Sequence, residues 1–372
     1  MKVVIAGAGI GGLATAIAIG RAGHEVEVFE RAPVLGEIGA GVALWPNGQR
    51  ALEALGIDLT SGLPVRGLEF RSRRGRLLME TPVADLRARY GHDLVLVHRA
   101  ELHSLLLDAV GRDRVRAGAE VVALEEDAAA VGVGLASGDG RQADVVVGAD
   151  GLRSAVRRHV LADGEPRYSG ATCWRGVAPF PIDDGRAVNW LGTGAEFGIF
   201  PLRDGRAYWF AVANRPEREA EPVGGRKADV LGIFGSWPDP VSAVVAATAD
   251  RDVLRNDLYD RPGARTWSKG RMTLVGDAAH PMLPNAAQGA SQALEDAVAL
   301  GEALAGHPYQ QAFSAYEARR LKRANRFVGQ SRATGRSIQS ASPIVAALRD
   351  LVLANLPRSL FLNQLDRTIG SG

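Results

Sequence analysis

The sequence predicts an α/β protein: a doubly wound dinucleotide-binding unit interrupted by an antiparallel sheet and closed by C-terminal helices. Three observations predict it. A glycine-rich turn follows the apolar run Lys2 to Ala6 and opens a helical pattern. From Tyr168 to Asn214 the chain changes to short alternating runs, and at Met272 a buried-type strand returns ahead of two long helical patterns. The 372 residues are 46% hydrophobic and 23% charged, which excludes disorder, collagen and a disulfide scaffold and leaves room for two or three units.

Element by element, the β-branched run to Ala6 reads as a strand, "LATAIAIGRAGH" as a helix ending near Gly23, and "EVEVFE" as the next strand, a βαβ unit of the expected length. "PNGQRALEALG" starts at a proline and stops at Gly56, as helices do. Residues 65–80 alternate like a hairpin turning at Arg74 and Gly75; 99–111 are helical, and "AEVVALEED" and "ADVVVGAD" are strand-like. Between 168 and 214, Gly and Asp turns such as "RDGR" separate alternating runs into an antiparallel sheet. A loop over 215–226, two helices, the strand "MTLVGD", helices from about Gln288 to Ala305 and from Tyr309 to Gln339, and an amphipathic tail complete the chain.

Lysine and arginine number 44 against 42 acidic residues, so the surface as a whole favours neither nucleic acid nor an acidic membrane. The basic run Arg319, Arg320, Lys322, Arg323 and Arg326 reads as a solvated or domain-contacting helix face. Cys173 is the single cysteine, the first residues enter a strand without a leader, and no stretch approaches the roughly 18 apolar residues that span a bilayer. A reduced, cytoplasmic setting without stable membrane insertion is expected.

Three turns carry the chemistry. In Gly7-Ala8-Gly9-Ile10-Gly11-Gly12, Gly7 permits the tight turn, Gly9 lets backbone approach a pyrophosphate, and Gly12 lets the helix pack on the sheet. Alone this is also an ordinary glycine turn; the two strands, the helix and Glu30, 18 positions after Gly12, supply the context that makes it a dinucleotide site. Glu30 would repel a 2′-phosphate, so the dinucleotide is FAD or NAD. The second turn, Asp150-Gly151, ends a continuous apolar strand and is followed at helical spacing by Ser154 and Arg157. The third, Gly276-Asp277, leads through a Pro- and Asn-containing loop to a helix whose start directs free N–H groups and a positive dipole end outward. That arrangement suits a flavin ring that becomes anionic on reduction.

These motifs resemble those of the group A flavoprotein monooxygenases, which share the para-hydroxybenzoate hydroxylase fold. The fingerprint with Glu30, "GADGLRSAVR" and "GDAAHPMLP…QG…EDA" carry the resemblance. Lesser matches are "GAGVALWPN" at 39–47, "HRAEL" at 98–102, "YSGATCWRG" at 168–176 and "YEARRLKRA" at 316–324, so it runs nearly end to end. It implies a Rossmann-like FAD-binding domain with an inserted antiparallel-sheet substrate domain and C-terminal helices. By motif, Gly7, Gly9, Gly11 and Gly12 would cradle the pyrophosphate, and Glu30 and Arg31 would lie at the adenosine ribose. Arg99 would reach the phosphates and Val122 the adenine. Gly41, Val42, Asp150, Gly276 and Asp277 would also bind FAD, Asp277 at the ribityl chain. Ala287, Gln288, Gly289, Ala290 and Ser291 would border the flavin. Where the family commonly has Gly-Gln-Gly this chain has Ala287-Gln288-Gly289, a methyl added where backbone nears the ring.

The resemblance implies an NAD(P)H-dependent monooxygenase. Bound FAD would be reduced by transient NAD(P)H and react with O₂ to a flavin hydroperoxide, which hydroxylates a small aromatic or polycyclic metabolite of the kind found in secondary metabolism. An epoxidase, an oxygen-independent FAD reductase or dehydrogenase, or a non-catalytic flavin-bound ligand-binding protein on the same scaffold are the alternatives. The protein's task is to hold substrate and exclude water. No Walker A loop, G-x-S-x-G elbow or CxxC is present, and His98 and His103 read as packing or surface residues rather than metal ligands. Alternation places Glu196, Gly198 and Phe200 on one face and Tyr208, Phe210 and Val212 on one face of the next strand, which core packing alone would also produce. Substrate contacts are expected from Arg175, Glu196, Phe200, Tyr208 and Phe210, with Tyr208 and Pro284 nearest the chemistry. In urate-hydroxylating relatives an Arg and a Tyr form a catalytic pair; Tyr208 matches the Tyr, but Glu196 stands at the Arg position. A larger neutral or phenolic aromatic substrate is therefore expected rather than urate or a small anionic acid. The expected division is 1–165 and 262–340 for the FAD-binding domain, 166–261 for the substrate domain and 341–372 for the terminal helices, in a monomer or homodimer.

Overall fold

The computed structural model describes residues 1–36, 40–182 and 185–370. The beginning of the 39–47 motif, Gly39, lies outside them. A five-stranded parallel sheet has the order Met272–Leu274, Val145–Gly148, Lys2–Ala6, Glu25–Phe29, Val115–Arg116. Lys2–Ala6 is central: Val3 pairs with Val145 on one side and Val26 on the other, Ile5 with Val147 and Val28. Both faces of this strand are covered, which is why its residues from Val3 to Ala6 form an unbroken apolar run. The helix Ile10–Arg21 packs on the sheet and against the helix Gly289–Gly306. A Cβ at Gly301 would lie 2.6 Å from the Ala18 methyl, so the two helices approach closely only because residue 301 has no side chain.

A seven-stranded sheet has the order Leu254–Asp260, Arg167–Ala178, Ala207–Asn214, Ala195–Pro201, Arg186–Leu191, Gly67–Ser72, Leu77–Thr81. Two findings differ from the sequence reading. The hairpin Gly67–Ser72 and Leu77–Thr81 comes from the segment assigned to the FAD-binding half. It joins Arg186–Leu191 in parallel register, Val188 to Glu69 and Trp190 to Arg71, so the sheet is mixed rather than wholly antiparallel. Period-2 alternation tells which face a residue takes and says nothing about a partner more than 100 positions away.

One face of this sheet is a dry core. Trp174, Phe197 and Trp209 pack against the helices Gly225–Phe234 and Val241–Ala247, with Phe197 and Trp209 stacked at 5.7 Å and 7°. The Trp209 indole N–H donates to Thr248 Oγ1 at 2.8 Å, satisfying its one polar atom. The opposite face carries the predicted substrate residues. A small sheet of Gly41–Leu44, Val95–His98 and Leu63–Pro64 lies against that face, where the Tyr208 ring abuts Gly41. Another of Gly140–Ala143, Val131–Leu135 and Val121–Glu126, the long helix Tyr309–Ile338 and the tail helices Pro343–Ala354 and Arg358–Leu365 complete the molecule. No helix among the described residues is long and apolar enough to cross a membrane.

Candidate active site where three glycine turns meet

The three turns meet. A Cβ at Gly7, whose φ is +101°, would lie 2.4 Å from the Ala149 carbonyl oxygen, which presses the first turn against the second. A Cβ at Gly11 would lie 3.3 Å from the Ala293 methyl and 3.9 Å from Gly276, which presses it against the third. Gly12 is required by the fold itself, since a Cβ there would stand 1.9 Å from the Gly7 carbonyl. Gly9 is different: a Cβ would meet nothing within 4 Å. Its missing side chain makes room for something other than protein, at the start of the helix Ile10–Arg21, where unpaired N–H groups favour an anion.

Glu30 is fixed at the rim of this space by backbone donors, the Ala8 N–H at 2.8 Å and the Ala32 N–H at 2.9 Å. A carboxylate has about four acceptor sites, so capacity for ribose hydroxyls is left over. His103, half of the pair set aside as metal ligands, bonds through Nε2 to the Ala8 carbonyl at 2.8 Å and anchors the fingerprint. His98 caps the helix Arg99–Val110. Arg31 and Val122 stay exposed.

The second turn braces the third. Asp150 Oδ2 accepts the Ala155 N–H at 2.6 Å, while Oδ1 is buried with no partner; burial raises the carboxyl's pKa, and Ser154 and nearby backbone N–H groups oppose the rise. Ser154 caps the helix Ala155–Leu161 by accepting from Arg157 N–H. The fully buried Arg157 guanidinium then donates to the Ala278 and Ala279 carbonyls at 2.8 and 2.7 Å, pinning the strand-to-loop turn at Gly276. From beneath, Asp296 accepts from Gly276 N–H at 2.9 Å, from His280 at 2.5 Å and from Arg320 at 2.8 Å. Burial would raise its pKa, but His280 and Arg320 hold it below the ordinary carboxylate range. Asn47 donates to Gln288 at 3.0 Å and to Glu295 at 2.7 Å, tying the start of the helix Gly289–Gly306 to the 39–47 motif. Arg320 and Arg323 of the basic run face inward to Glu295 of the preceding helix, while Lys322 and Arg326 are exposed.

Asp277 is exposed between the buried Gly276 and Ala278. Desolvation by the surrounding protein pushes its carboxyl up, against the pull of His280 and Arg99. Arg99 also opposes the rise of the Tyr208 phenol, whose pKa is raised chiefly by burial. The roof meets the cofactor half at Gly41, where a Cβ would fall 2.5 Å from the Tyr208 ring. Ala287 adopts the left-handed conformation, φ 47°, exposed at the end of the turn Pro284–Ala286, while Gln288 and Ser291 are buried, Ser291 Oγ with no partner.

On the roof the register places the predicted residues side by side. Cys173, Val212 and Glu196 form one row, Arg175, Phe210 and Gly198 the next, Val177, Tyr208 and Phe200 the third. Phe200 and Phe210 lie 5.8 Å apart, Tyr208 and Phe210 6.3 Å, making one aromatic surface. Arg175 donates to Asn256 at 2.7 Å. The sequence reading missed Asn189, which pairs with Gly198 on this face and has only its setting between apolar neighbours as a signal. It also missed Arg349, which the tail helix brings near Glu196. A cavity of about 410 Å³ between Leu77–Thr81 and the tail helix holds none of the predicted site residues.

The free space over Gly9, the partnerless oxygens of Asp150 and Ser291 and the spare capacity of Glu30 fit a bound FAD. A dinucleotide site whose flavin end is roofed by a separate aromatic sheet defines a flavin-dependent oxygenase fold. The chain belongs to the family described as FAD binding domain, which matches residues 1–331, and it is an FAD-dependent monooxygenase. It is 38% identical to the Aurachin C monooxygenase/isomerase of Stigmatella aurantiaca over 95% of this chain and 94% of that protein. To the 3-amino-4-hydroxybenzoate 2-monooxygenase of Streptomyces cremeus it is 39% identical over 87% and 84%. The crystal structure of Klebsiella pneumoniae HpxO with FAD and uric acid superposes with a TM-score of 0.93 at 32% identity, covering 100% of this chain and 97% of that one.

Proposed function

We propose that this monooxygenase uses NAD(P)H and O₂ to hydroxylate a small neutral or phenolic aromatic or bicyclic metabolite in the cytoplasm. The observation that carries the reading is the aromatic surface of Phe200, Tyr208 and Phe210, joined to the cofactor half through Gly41. Bound FAD, once reduced, supplies the activated oxygen atom. The chain's residues do the rest. Gly7, Gly9, Gly11 and Gly12 receive the pyrophosphate, Glu30 the ribose and Asp277 the ribityl hydroxyls. The helix start at Gly289 offers its N–H groups to the flavin's anionic edge. Phe200 and Phe210 hold an aromatic ring flat and keep water out, and Tyr208 and Pro284 flank it. On this reading residues 1–165 and 262–340 form the cofactor half, with the 67–81 hairpin lent to the substrate half.

The reading is favoured over urate by Glu196, an acid that would repel an anionic ligand. Protein reconstituted with FAD is assayed for NAD(P)H oxidation stimulated by phenols, hydroxyquinolines and polycyclic aromatics, with ¹⁸O₂ as the oxygen source. One compound that both stimulates oxidation and gains one labelled atom supports the proposal. Reduced flavin that stays unreactive to O₂, or only hydrogen peroxide across the whole panel, refutes it.

A further inference from the structure

On the sheet face that carries the aromatic surface, two buried hydrogen-bond acceptors have no donor among the described residues. Glu196 is 5% exposed, and no hydrogen bond or ion pair to its carboxyl is formed among the described residues. Asn189 is 8% exposed and its Oδ1 has no partner. The two share a face: Asn189 pairs with Gly198, and Gly198 stands two residues from Glu196 on the same strand, a separation of about 7 Å. Gly198 is what makes the arrangement possible. A Cβ there would collide with Asn189 Oδ1 at 2.4 Å and with the Phe210 ring at 2.3 Å, so the carboxamide oxygen and the ring edge lie together over the bare backbone.

No donor among the described residues reaches either acceptor. Arg349, the cation that reaches Glu196, commits its guanidinium to the Gly192 carbonyl at 3.0 Å, the Ile338 carbonyl at 3.1 Å and Asp350 at 2.7 Å. Two strands away, Cys173 lies in the same row as the carboxyl with Val212 between them; burial pushes its thiol up to about 11, so it stays protonated and neutral. Arg175, one row over, donates one N–H to Asn256, while its Nε is buried without a partner. A buried carboxyl and a buried carboxamide oxygen left unpaired are costly, and a ligand that brings O–H or N–H groups relieves that cost.

We propose that Glu196 and Asn189 form a paired acceptor beside the Phe210 ring that selects an uncharged aromatic substrate with a ring O–H or N–H and disfavours one with a carboxylate at that end. The inference rests on the cleft being the substrate site. Burial pushes the Glu196 carboxyl up to about 7, against the pull of Arg349, so its acceptor strength changes across neutral pH.

Equilibrium dialysis of FAD-loaded protein tests it with 2-naphthol, 2-methoxynaphthalene and 2-naphthoate, probes alike in shape that carry a donor, no donor and an anion. At pH 8 the naphthol is expected to bind at least about tenfold more tightly than its methyl ether, the scale of one hydrogen bond to a charged acceptor. Naphthoate is expected to bind more weakly than naphthol, and naphthol affinity to rise from pH 6 to pH 8. Glu196→Gln is expected to shrink the naphthol-to-ether ratio to about threefold or less, remove the pH dependence and improve naphthoate binding. Asn189→Leu is expected to lower the ratio with the pH dependence retained. Equal binding of naphthol and ether, a preference for naphthoate, ratios unchanged in Glu196→Gln, or no binding of any probe would each overturn the pair. Oxygen incorporation is read separately: selectivity without oxygenation overturns the proposed reaction and leaves the acceptor pair standing, and oxygenation without selectivity does the reverse.

Discussion

Replacing Glu196 by glutamine should change how stability varies with pH, before any ligand is added. A carboxyl pushed from its ordinary 4.5 to about 7 binds its proton more tightly in the folded chain than in the unfolded one. Its contribution is therefore most favourable below pH 4.5 and is lost as pH rises through 7. The whole displacement corresponds to about 3 kcal/mol, and a side chain only 5% exposed with no ion pair leaves solvent little opportunity to screen it. Glutamine has no such dependence, and whatever its amide costs in the same place is independent of pH. The difference in unfolding free energy between Glu196→Gln and the parent should thus grow by about 3 kcal/mol in the variant's favour from pH 4.5 to pH 8, or about 4 °C in Tm for a chain of this size. Paired urea titrations of the apoprotein at four pH values measure it. Parallel curves would show that the carboxyl is hydrated or paired in solution and would refute the reasoning.

Three further outcomes follow from the backbone and the buried charges. Ala287→Gly relieves a left-handed alanine and should stabilise the protein by about 0.5–1 kcal/mol, the left-handed penalty less the unfolded-state entropy of glycine, as read by urea midpoints. Gly9→Ala should leave the apoprotein's unfolding unchanged, because the methyl meets no protein atom, yet weaken FAD retention at least about tenfold in ultrafiltration; unaltered retention would place the pyrophosphate elsewhere. Arg157→Met strands the Ala278 and Ala279 carbonyls and leaves Asp163 with Arg261 alone, and should cost about 2–5 kcal/mol in urea titrations.

What the chain discloses before folding depends on whether a feature is local. The three glycine turns are local, each a strand end, a small residue and a helix start, and all three lie together in the fold. So is the alternation that put Glu196, Phe200, Tyr208 and Phe210 on one face. Asn189 escaped because a polar residue between alanine, valine and tryptophan reads equally as a strand-edge residue, and only the pairing with Gly198 sets it beside Phe210 on the aromatic face. Arg349 escaped because a tail helix shows its stripe but not the strand it lies against. Ala287 was marked as unusual for its added methyl, but the sign of φ there is set by the loop's path, which composition does not encode.

The parallel pairing of Arg186–Leu191 with Gly67–Ser72 has a practical consequence for anyone recombining such enzymes. The substrate half is not a cassette. A chimaera exchanging residues 166–261 alone would set a foreign strand against the resident hairpin and leave up to six register partners mismatched along that seam. A crossover that also carries 67–81 keeps the seam native, and new substrate specificity is best sought by moving both segments together.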